Sequence, residues 1–398
     1  MHSPSRRGAL ASVVPLALAL VTASGARAAD NPPPEPIRVG IMVDLSGPFS
    51  SVGTMVRQGI ELYAKQHGQT VGGREVEFVF RDVNPATSKA IGEELVVKDK
   101  AKILAGFALT PEAAAVASIS KEAKIPTVLV LPSTPTLMNM SPYFIRAANN
   151  MPATVIPAAE WAFRQGKRKA YIAVSDYAPG YELQASFKKK FEELGGKVIA
   201  EDRIPLNTID YAPFAERIAR SDADVVQVFI PPGAPAVSFI RGLVAQGVMK
   251  KGVPVIGVGE TNEYYLPSYD DSVIGYYSSN NYSGALTTPE NMAFKKGLEE
   301  MFPGKSAPDS VVVQAYDAAH IIYRMIESQQ GKPFDGAAAV EAVKGMKWQS
   351  PRGTVEIDAA TRDLAQPYYI RKVERVDGKL QNSVLDTFEL VRPVAAGG

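Results

Sequence analysis

Residues 37–58, IRVGIMVDLSGPFSSVGTMVRQ, constrain the fold more than any other stretch of the chain. Residues 37–43 are apolar and rich in β-branched side chains, with no polar alternation, which reads as a strand buried on both faces of a parallel sheet. Asp44-Leu45-Ser46-Gly47-Pro48 ends that strand, because Gly and Pro interrupt regular structure. Val52, Met55, Val56, Gly59 and Ile60 then recur at helical spacing and give one face to pack on a sheet. Strand, loop and helix open a βαβ unit. In open α/β sheets, ligands sit beyond the carboxyl ends of strands. Residues 46–53 lie at such an end, as an ordinary connection or as part of a binding crevice.

The same alternation continues. Strands are expected at 75–81, 101–105, 125–131 and 143–146, and helices at 85–98 and 111–123, the latter with Pro111 in its first turn. Asn149-Asn150-Met151-Pro152 interrupts the pattern, and a second series follows. Its helices are expected at 153–164, 181–194, 211–219 and 236–246, and its strands at 169–174, 197–204, 224–230 and 253–258. Gly195-Gly196 stops one of these helices with the usual capping chemistry. Two βα series in succession predict an α/β chain with two doubly wound parallel-sheet lobes. The last third reads differently. It has long helices at 289–301 and 311–329, then strands at 354–357, 367–373 and 385–390, with Asp377-Gly378 as a hairpin turn.

The N-terminus reads as an export signal. Arg6-Arg7 forms a charged region, residues 9–22 an apolar one, and Ala26-Arg27-Ala28 a small-residue cleavage site. Pro15 and the short apolar run argue against a membrane anchor, which needs about 18 or more apolar residues. A signal at 1–28 and a Pro-rich leader at 29–36 place the mature protein in the periplasm. Sec and twin-arginine export both remain open. Removing the signal leaves 40 basic against 42 acidic residues, a balance without the surplus of a nucleic-acid-binding surface. The chain has no cysteine, so it folds without disulfides in a compartment that permits them. Its length lets two cores form without staples.

Little in the sequence points to catalysis. Only His2, His67 and His320 occur, and His320 in AYDAAHIIYRM reads as a helix residue. A metal centre or triad needs clustered His, Cys or carboxylates. No phosphate-binding loop or dinucleotide fingerprint is present. A secreted hydrolase on this scaffold would need a G-x-S-x-G elbow, which is missing. What recurs instead is a polar or aromatic loop at one strand end after another: Phe107-Ala108-Leu109-Thr110, Pro132-Ser133-Thr134-Pro135, Asp176-Tyr177-Ala178-Pro179-Gly180, Pro231-Pro232-Gly233, Glu260-Thr261-Asn262 and Asn281-Tyr282. Each alone is an ordinary loop. Together they sit where two sheets would face a shared crevice. Hydroxyls and a helix N-terminus there suit a carboxylate.

These segments together resemble the type I periplasmic solute-binding proteins of ABC importers, the leucine/isoleucine/valine-binding family. The resemblance rests on IRVGIMVDLSGPFSSVG, VGGREVEFVFRD, AGFALTPEAAAVASISKEAKIP, LPSTPTLMN, SDYAPGYE, VIGVGETNE, VVQAYDAAHIIYRMIES and SPRGTVEID, and it runs through nearly all of the mature chain. It implies no enzyme and no cofactor, but capture of a small solute between two lobes and delivery to an inner-membrane ABC permease, with the protein a monomer. A sensor presenting its solute to a signalling receptor is the alternative. The resemblance also implies three crossovers, dividing the chain into 37–149 plus 283–353 and 150–282 plus 354–398. The amino-acid binders carry a Ser pair where this chain has Leu109-Thr110, a Tyr where it has Pro179, and an acid for the ligand ammonium near Glu260. Ligand contacts are therefore expected from Phe49, Phe107, Thr110, Ser133, Thr134, Tyr177, Glu260 and Tyr282. The expected solute is a small carboxylate with an aromatic or branched apolar body, with the role of Glu260 toward an amine left open.

Overall fold

The computed structural model describes Met1 and residues 35–395. The expected export signal and most of the Pro-rich leader lie outside the described residues. The chain is mixed α/β, with two sheets that are parallel in their centres.

The first sheet contains β1 (Ile37–Val43), β2 (Thr70–Val71), β3 (Arg74–Asp82), β4 (Ile103–Gly106), β5 (Thr127–Leu129) and β6 (Phe144–Arg146), in the spatial order β2-β3-β1-β4-β5-β6. All its pairings are parallel except β2 with β3. The intervening helices are α1 (Ser50–His67), α2 (Ser88–Val97), α3 (Thr110–Ala115) and α4 (Ala117–Glu122). The single helix expected at 111–123 is thus two, separated at Val116. One face of the sheet carries a core of Val39, Ile41, Val56 and Ile60 with residues of a later helix, and the other a core of Met42, Leu95, Leu104 and Val116.

Asn150 accepts from the Ala153 N–H and caps α5 (Met151–Arg164). The sequence at 149–152 is therefore a helix start and not merely an interruption. The second series supplies β7 (Lys169–Ser175), α6 (Ala178–Glu193), β8 (Lys197–Ile204), α7 (Ala212–Arg220), β9 (Val225–Phe229), α8 (Ala234–Ala245), β10 (Val255–Gly257) and β11 (Tyr277–Asn280). Strand β11 has no apolar run, and its polar residues are buried because each is satisfied. Arg371 donates to Ser278 at 3.0 Å, Ser279 donates to the Thr154 carbonyl at 2.6 Å, and Asn280 donates to the Val258 carbonyl at 2.7 Å.

The chain then returns with α9 (Pro289–Met301), α10 (Ser310–Glu327) and α11 (Gly336–Val343). Val312, Ala315, Ala319 and Ile322 of α10 complete the first core. Strands β12 (Lys347–Ser350), β13 (Gly353–Ile357), β14 (Leu364–Val376) and β15 (Lys379–Val391) extend the second sheet to the order β12-β13-β14-β11-β10-β9-β7-β8, with β15 on β14. Asp377 and Gly378 form the tight turn between β14 and β15, with φ of 48° and 77°. Val355, Ile357 and Leu364 pack in the first core, whereas Ile370 and Val373 pack in the second. β14 thus carries the chain from one core to the other.

Corresponding strand-to-helix turns in the two halves share a constraint. A Cβ on Gly53 would lie 1.9 Å from the Asp44 carbonyl oxygen, and one on Gly180 1.9 Å from that of Ser175. Only glycine lets α1 and α6 start this close to the strands before them, which fixes where their first turns point.

Candidate functional site

A cavity of about 60 Å³ lies between the two sheets. At ~10–15 Å³ for each water, that is room for roughly five waters, which suits a solute of one ring or a short branched chain. Loops after β4, β5 and β6 supply Ala108, Leu131, Pro132, Ser133 and Asn149, and the start of α3 supplies Thr110. Loops after β7, β9, β10 and β11 supply Tyr177, Pro231, Pro232, Val258, Gly259, Asn262 and Asn281, with Pro179 in the first turn of α6 and Phe229, Asn280 and Met151 at element ends. The first turns of α10 add Ser310, Val311 and Gln314. The cavity therefore occupies the carboxyl ends of the strands of both sheets.

The first-sheet wall is polar and braced from behind. The loop from Gly106 turns back through Phe107, whose φ of 70° is unusual for a non-glycine residue. Burial of its ring in the core and a 2.6 Å bond from the Phe107 N–H to the Met42 carbonyl hold that conformation. Glu112 then accepts from the N–H groups of Ala108 at 2.9 Å and Leu109 at 3.0 Å, which fixes the loop leading to Thr110. Behind the next loop lies Arg146, fully buried. It donates to the carbonyls of Pro132 at 2.6 Å and Thr134 at 2.7 Å, and pairs with Asp363 at 3.1 Å. Ser133 is held between those two carbonyls. The Thr134 hydroxyl meets that of Thr110 at 3.4 Å.

The second-sheet wall sets a ring pair beside the amides of Asn262, Asn280 and Asn281. The rings of Tyr177 and Phe229 stack with centroids 6.0 Å apart and planes 13° from parallel. Pro179, Pro231 and Pro232 extend this surface.

Of the residues expected to touch a ligand, Thr110, Ser133 and Tyr177 line the cavity. The others have different surroundings. Thr134 is buried behind its neighbour. Phe107 lies in the first-half core. Tyr282 is fully buried, donates to Asn291 at 2.7 Å and meets Phe294 edge-on. Phe49 is packed against the first core, close to where a Cβ on Gly233 would sit, and is not part of the lining. Glu260 is fully buried, and its carboxylate accepts from the N–H groups of Ile230 at 2.8 Å and Val258 at 2.7 Å. It is therefore bound to the backbone of the loops after β9 and β10. Burial pushes its pKa up to about 6, while those N–H bonds pull the other way. Phe229, Asn280 and Gln314 line the cavity without having been singled out in the sequence. Phe229 ends an apolar strand, and Gln314 lies inside an apolar helix. No local pattern distinguishes either from core.

No Asp, Glu, Lys, Arg or His is among the lining residues. Two arginines buried behind the walls are already paired. Arg371 donates to Asn262 Oδ1 at 2.9 Å and to the Tyr282 carbonyl at 2.6 Å. Arg352 pairs with Asp317 at 2.6 Å and donates to Gln366 at 2.7 Å. Gln366 in turn donates to the Ala148 carbonyl at 3.0 Å and accepts from Asn281 at 2.8 Å, tying together segments far apart in the chain. Asp44 and Glu112 are both raised in pKa, first by burial and then, for Glu112, by the neighbouring Asp44 charge. Among the described residues, no group of three or more His, Cys, Asp or Glu is arranged to hold a metal ion, and no helix is long and apolar enough to cross a membrane.

Comparison with known proteins agrees with this architecture. Residues 36–379 match the model of the periplasmic binding protein family. The chain is 38% identical over 358 residues to the Leu/Ile/Val-binding protein homolog 6 of Brucella melitensis, covering 89% of this chain and 92% of that one. The solute-binding protein of an ABC transporter from Rhodopseudomonas palustris HaA2, solved with p-hydroxybenzoic acid, is 41% identical, with a TM-score of 0.86 over 90% of this chain and 98% of that one. A second such protein, from Rhodopseudomonas palustris BisB5 and solved with 3,4-dihydroxybenzoic acid, is 35% identical, with a TM-score of 0.86 over 89% and 98%. Matched over most of its length and built as two facing α/β halves around a small cavity, the chain belongs to the periplasmic binding protein family and is a solute-binding protein.

Proposed function

We propose that the protein captures a small aromatic carboxylate in the cavity and presents it to an ABC permease. The observation that carries this reading is the lining itself: hydroxyls on one wall, a stacked ring pair on the other, and no ionised side chain. An α-amino acid would bring an ammonium that needs a buried anion, since an unpaired charge in such a site is costly. The nearest candidate, Glu260, is occupied by backbone N–H groups. A carboxylate, by contrast, is well served by neutral donors. Thr110 and Ser133 are assigned to it, and Tyr177 and Phe229 to the ring. The aromatic acids bound by the two Rhodopseudomonas palustris relatives support the same choice.

Binding is proposed to close two lobes on the solute. The lobes are taken as 37–149 with 283–364 and 150–282 with 365–395. The last boundary falls after 353 because Val355 and Ile357 pack with the first core. Closure requires that the solute touch both walls, so that it favours the closed state. A fall in radius of gyration on adding a saturating acid, measured by small-angle scattering, is expected. An unchanged value alongside demonstrated binding would remove the closure. The segment at 1–28 is proposed as a cleaved export signal; a mature N-terminus at Met1 would refute it.

The deciding experiment is a thermal-shift screen of benzoate, 4-hydroxybenzoate, leucine and glucose. A ligand present at 100 times its Kd stabilises by about 2.7 kcal/mol. Stabilisation by the benzoates and not by leucine supports the reading. Stabilisation by leucine alone would overturn it.

A further inference from the structure

Among the described residues that line the cavity, one has a buried side-chain atom without a hydrogen-bond partner. Gln314 lies one turn into α10, with Ser310 and Val311 beside it on the cavity. It is 5% exposed, yet its Oε1 has no hydrogen-bond partner. Several other buried polar atoms among the described residues also lack partners, on Asp44, Gln58, Glu112, Gln227 and Thr261 among others, but none of those residues lines the cavity. The contrast within the lining is sharp. Asn262 uses its Oδ1 for Arg371 and Asn280, and its Nδ2 for Ser310. Asn280 donates to the Val258 carbonyl, and Asn281 donates to Gln366. Those amides build the wall, whereas the Gln314 carbonyl is left over.

A buried amide without a partner costs free energy, and native proteins seldom leave one unless something else completes it. We propose that Gln314 is a specificity-determining residue that reads a hydroxyl on the ring of the bound acid. This rests on the aromatic-carboxylate reading above. The partner must be neutral, because an ammonium would find no carboxylate in the lining. It must also sit on an otherwise apolar body, because the facing wall carries the ring pair. A phenolic hydroxyl meets both demands. A hydroxyl donates and accepts, so it satisfies whichever end of the amide is turned toward it. A bare ring leaves the amide unpaired, and a site built for a hydroxyl discriminates against analogues without one.

The test compares 4-hydroxybenzoate with 4-fluorobenzoate by calorimetry, because fluorine is of similar size and cannot donate. Wild-type protein is expected to prefer the hydroxy acid by roughly tenfold or more. In Gln314→Met, which keeps length and removes the amide, the two affinities are expected to converge, through loss on the hydroxy acid and not on the fluoro acid. Gln314→Leu serves as a second variant, and the wild-type ratio is informative even if neither variant folds. Equal wild-type affinities for the two acids would overturn the assignment, as would a preference that survives in the variants. Wild-type protein that binds leucine but neither acid overturns the aromatic reading itself, and this inference with it.

Discussion

The two walls of the cavity are built on the same βα plan and yet present opposite chemistry. The first places its loops over buried polar side chains: Arg146 holds the carbonyls on both sides of Ser133, and the Glu112 carboxyl holds the N–H groups before Thr110. The second places rings and prolines at the equivalent strand ends, with Tyr177 stacked on Phe229. Its own buried carboxylate, Glu260, fastens one loop to another. One wall is thus suited to orient a polar group and the other to cover an apolar one. A preorganised polar wall needs rigid backing, since donors held in place cost nothing to arrange when the ligand arrives.

The most severe way to break this contrast is to remove the backing. Arg146→Met leaves Asp363 buried, without its guanidinium, and frees the carbonyls of Pro132 and Thr134. Loss of one partner from a buried pair costs about 3–5 kcal/mol. Urea denaturation is expected to show a loss of that order, together with loss of acid binding. A variant as stable as the parent would show that the polar wall does not depend on this charge.

Milder changes address each wall separately. Ser133→Ala removes one charge-assisted hydrogen bond of ~1.5–3 kcal/mol, so carboxylates of every kind are expected to bind about tenfold or more weakly. Tyr177→Leu keeps apolar area and removes a ring worth ~0.5–1.5 kcal/mol in aromatic contact, so aromatic acids are expected to lose about threefold to tenfold. Aliphatic carboxylates are expected to be nearly unaffected by Tyr177→Leu. Calorimetry with benzoate and cyclohexanecarboxylate against both variants separates the effects. If Tyr177→Leu weakened the two acids equally, the division of labour between the walls would be wrong.

Much of this was legible in the sequence, and the reasons are specific. Strand β1 coincides with the apolar run at 37–43, and the hairpin turn falls on Asp377-Gly378, because both signals are local. Thr110, Ser133 and Tyr177 line the cavity because strand ends face the crevice in any open α/β sheet. Direction was harder to read. Phe107 and Tyr282 occur in the right loops, but their rings enter the core, and a one-residue difference in a loop reverses that choice. Strand β11 was missed because its buried serines and asparagine are satisfied by residues far away in the chain. Gln314 was missed because a helix surrounded by valines and alanines gives no sign of which residue meets a cavity.

The carboxyls behind the polar wall also give a dependence on pH. Burial and the Asp44 charge push Glu112 up from 4.5 to about 8. The folded protein therefore keeps a proton between those values that the unfolded chain releases, and stability falls as pH rises through that window. His320 contributes the opposite slope lower down. Burial depresses it from 6.5 to about 4, so its contribution is lost as pH falls between those values. Glu112→Gln keeps an acceptor for the Ala108 and Leu109 N–H groups and removes the titration. Its thermal midpoint is expected to decline less than the parent's between pH 6 and pH 8. Parallel declines would show that Glu112 does not titrate there.

The smallest expected effect on affinity is the most discriminating between the walls. Glu260→Gln changes the one acidic residue that the sequence offered to a ligand amine. In the structure its two oxygens accept from Ile230 and Val258, and its own carbonyl accepts from the Tyr269 hydroxyl. Glutamine preserves one of the two side-chain acceptors and turns an NH₂ group toward the other N–H. The cost therefore falls on the loops of the second wall, on the order of 1–3 kcal/mol of stability. Affinity for an aromatic acid is expected to change by less than about threefold, because no charge on such a ligand needs Glu260. For an α-amino acid the same substitution would strand a buried ammonium and abolish binding. Calorimetry on Glu260→Gln with benzoate measures the difference, with unfolding by urea as the control for the loops. Abolished benzoate binding in a protein that still unfolds cooperatively would mean that Glu260 reaches the ligand, and that the second wall is not merely a cover.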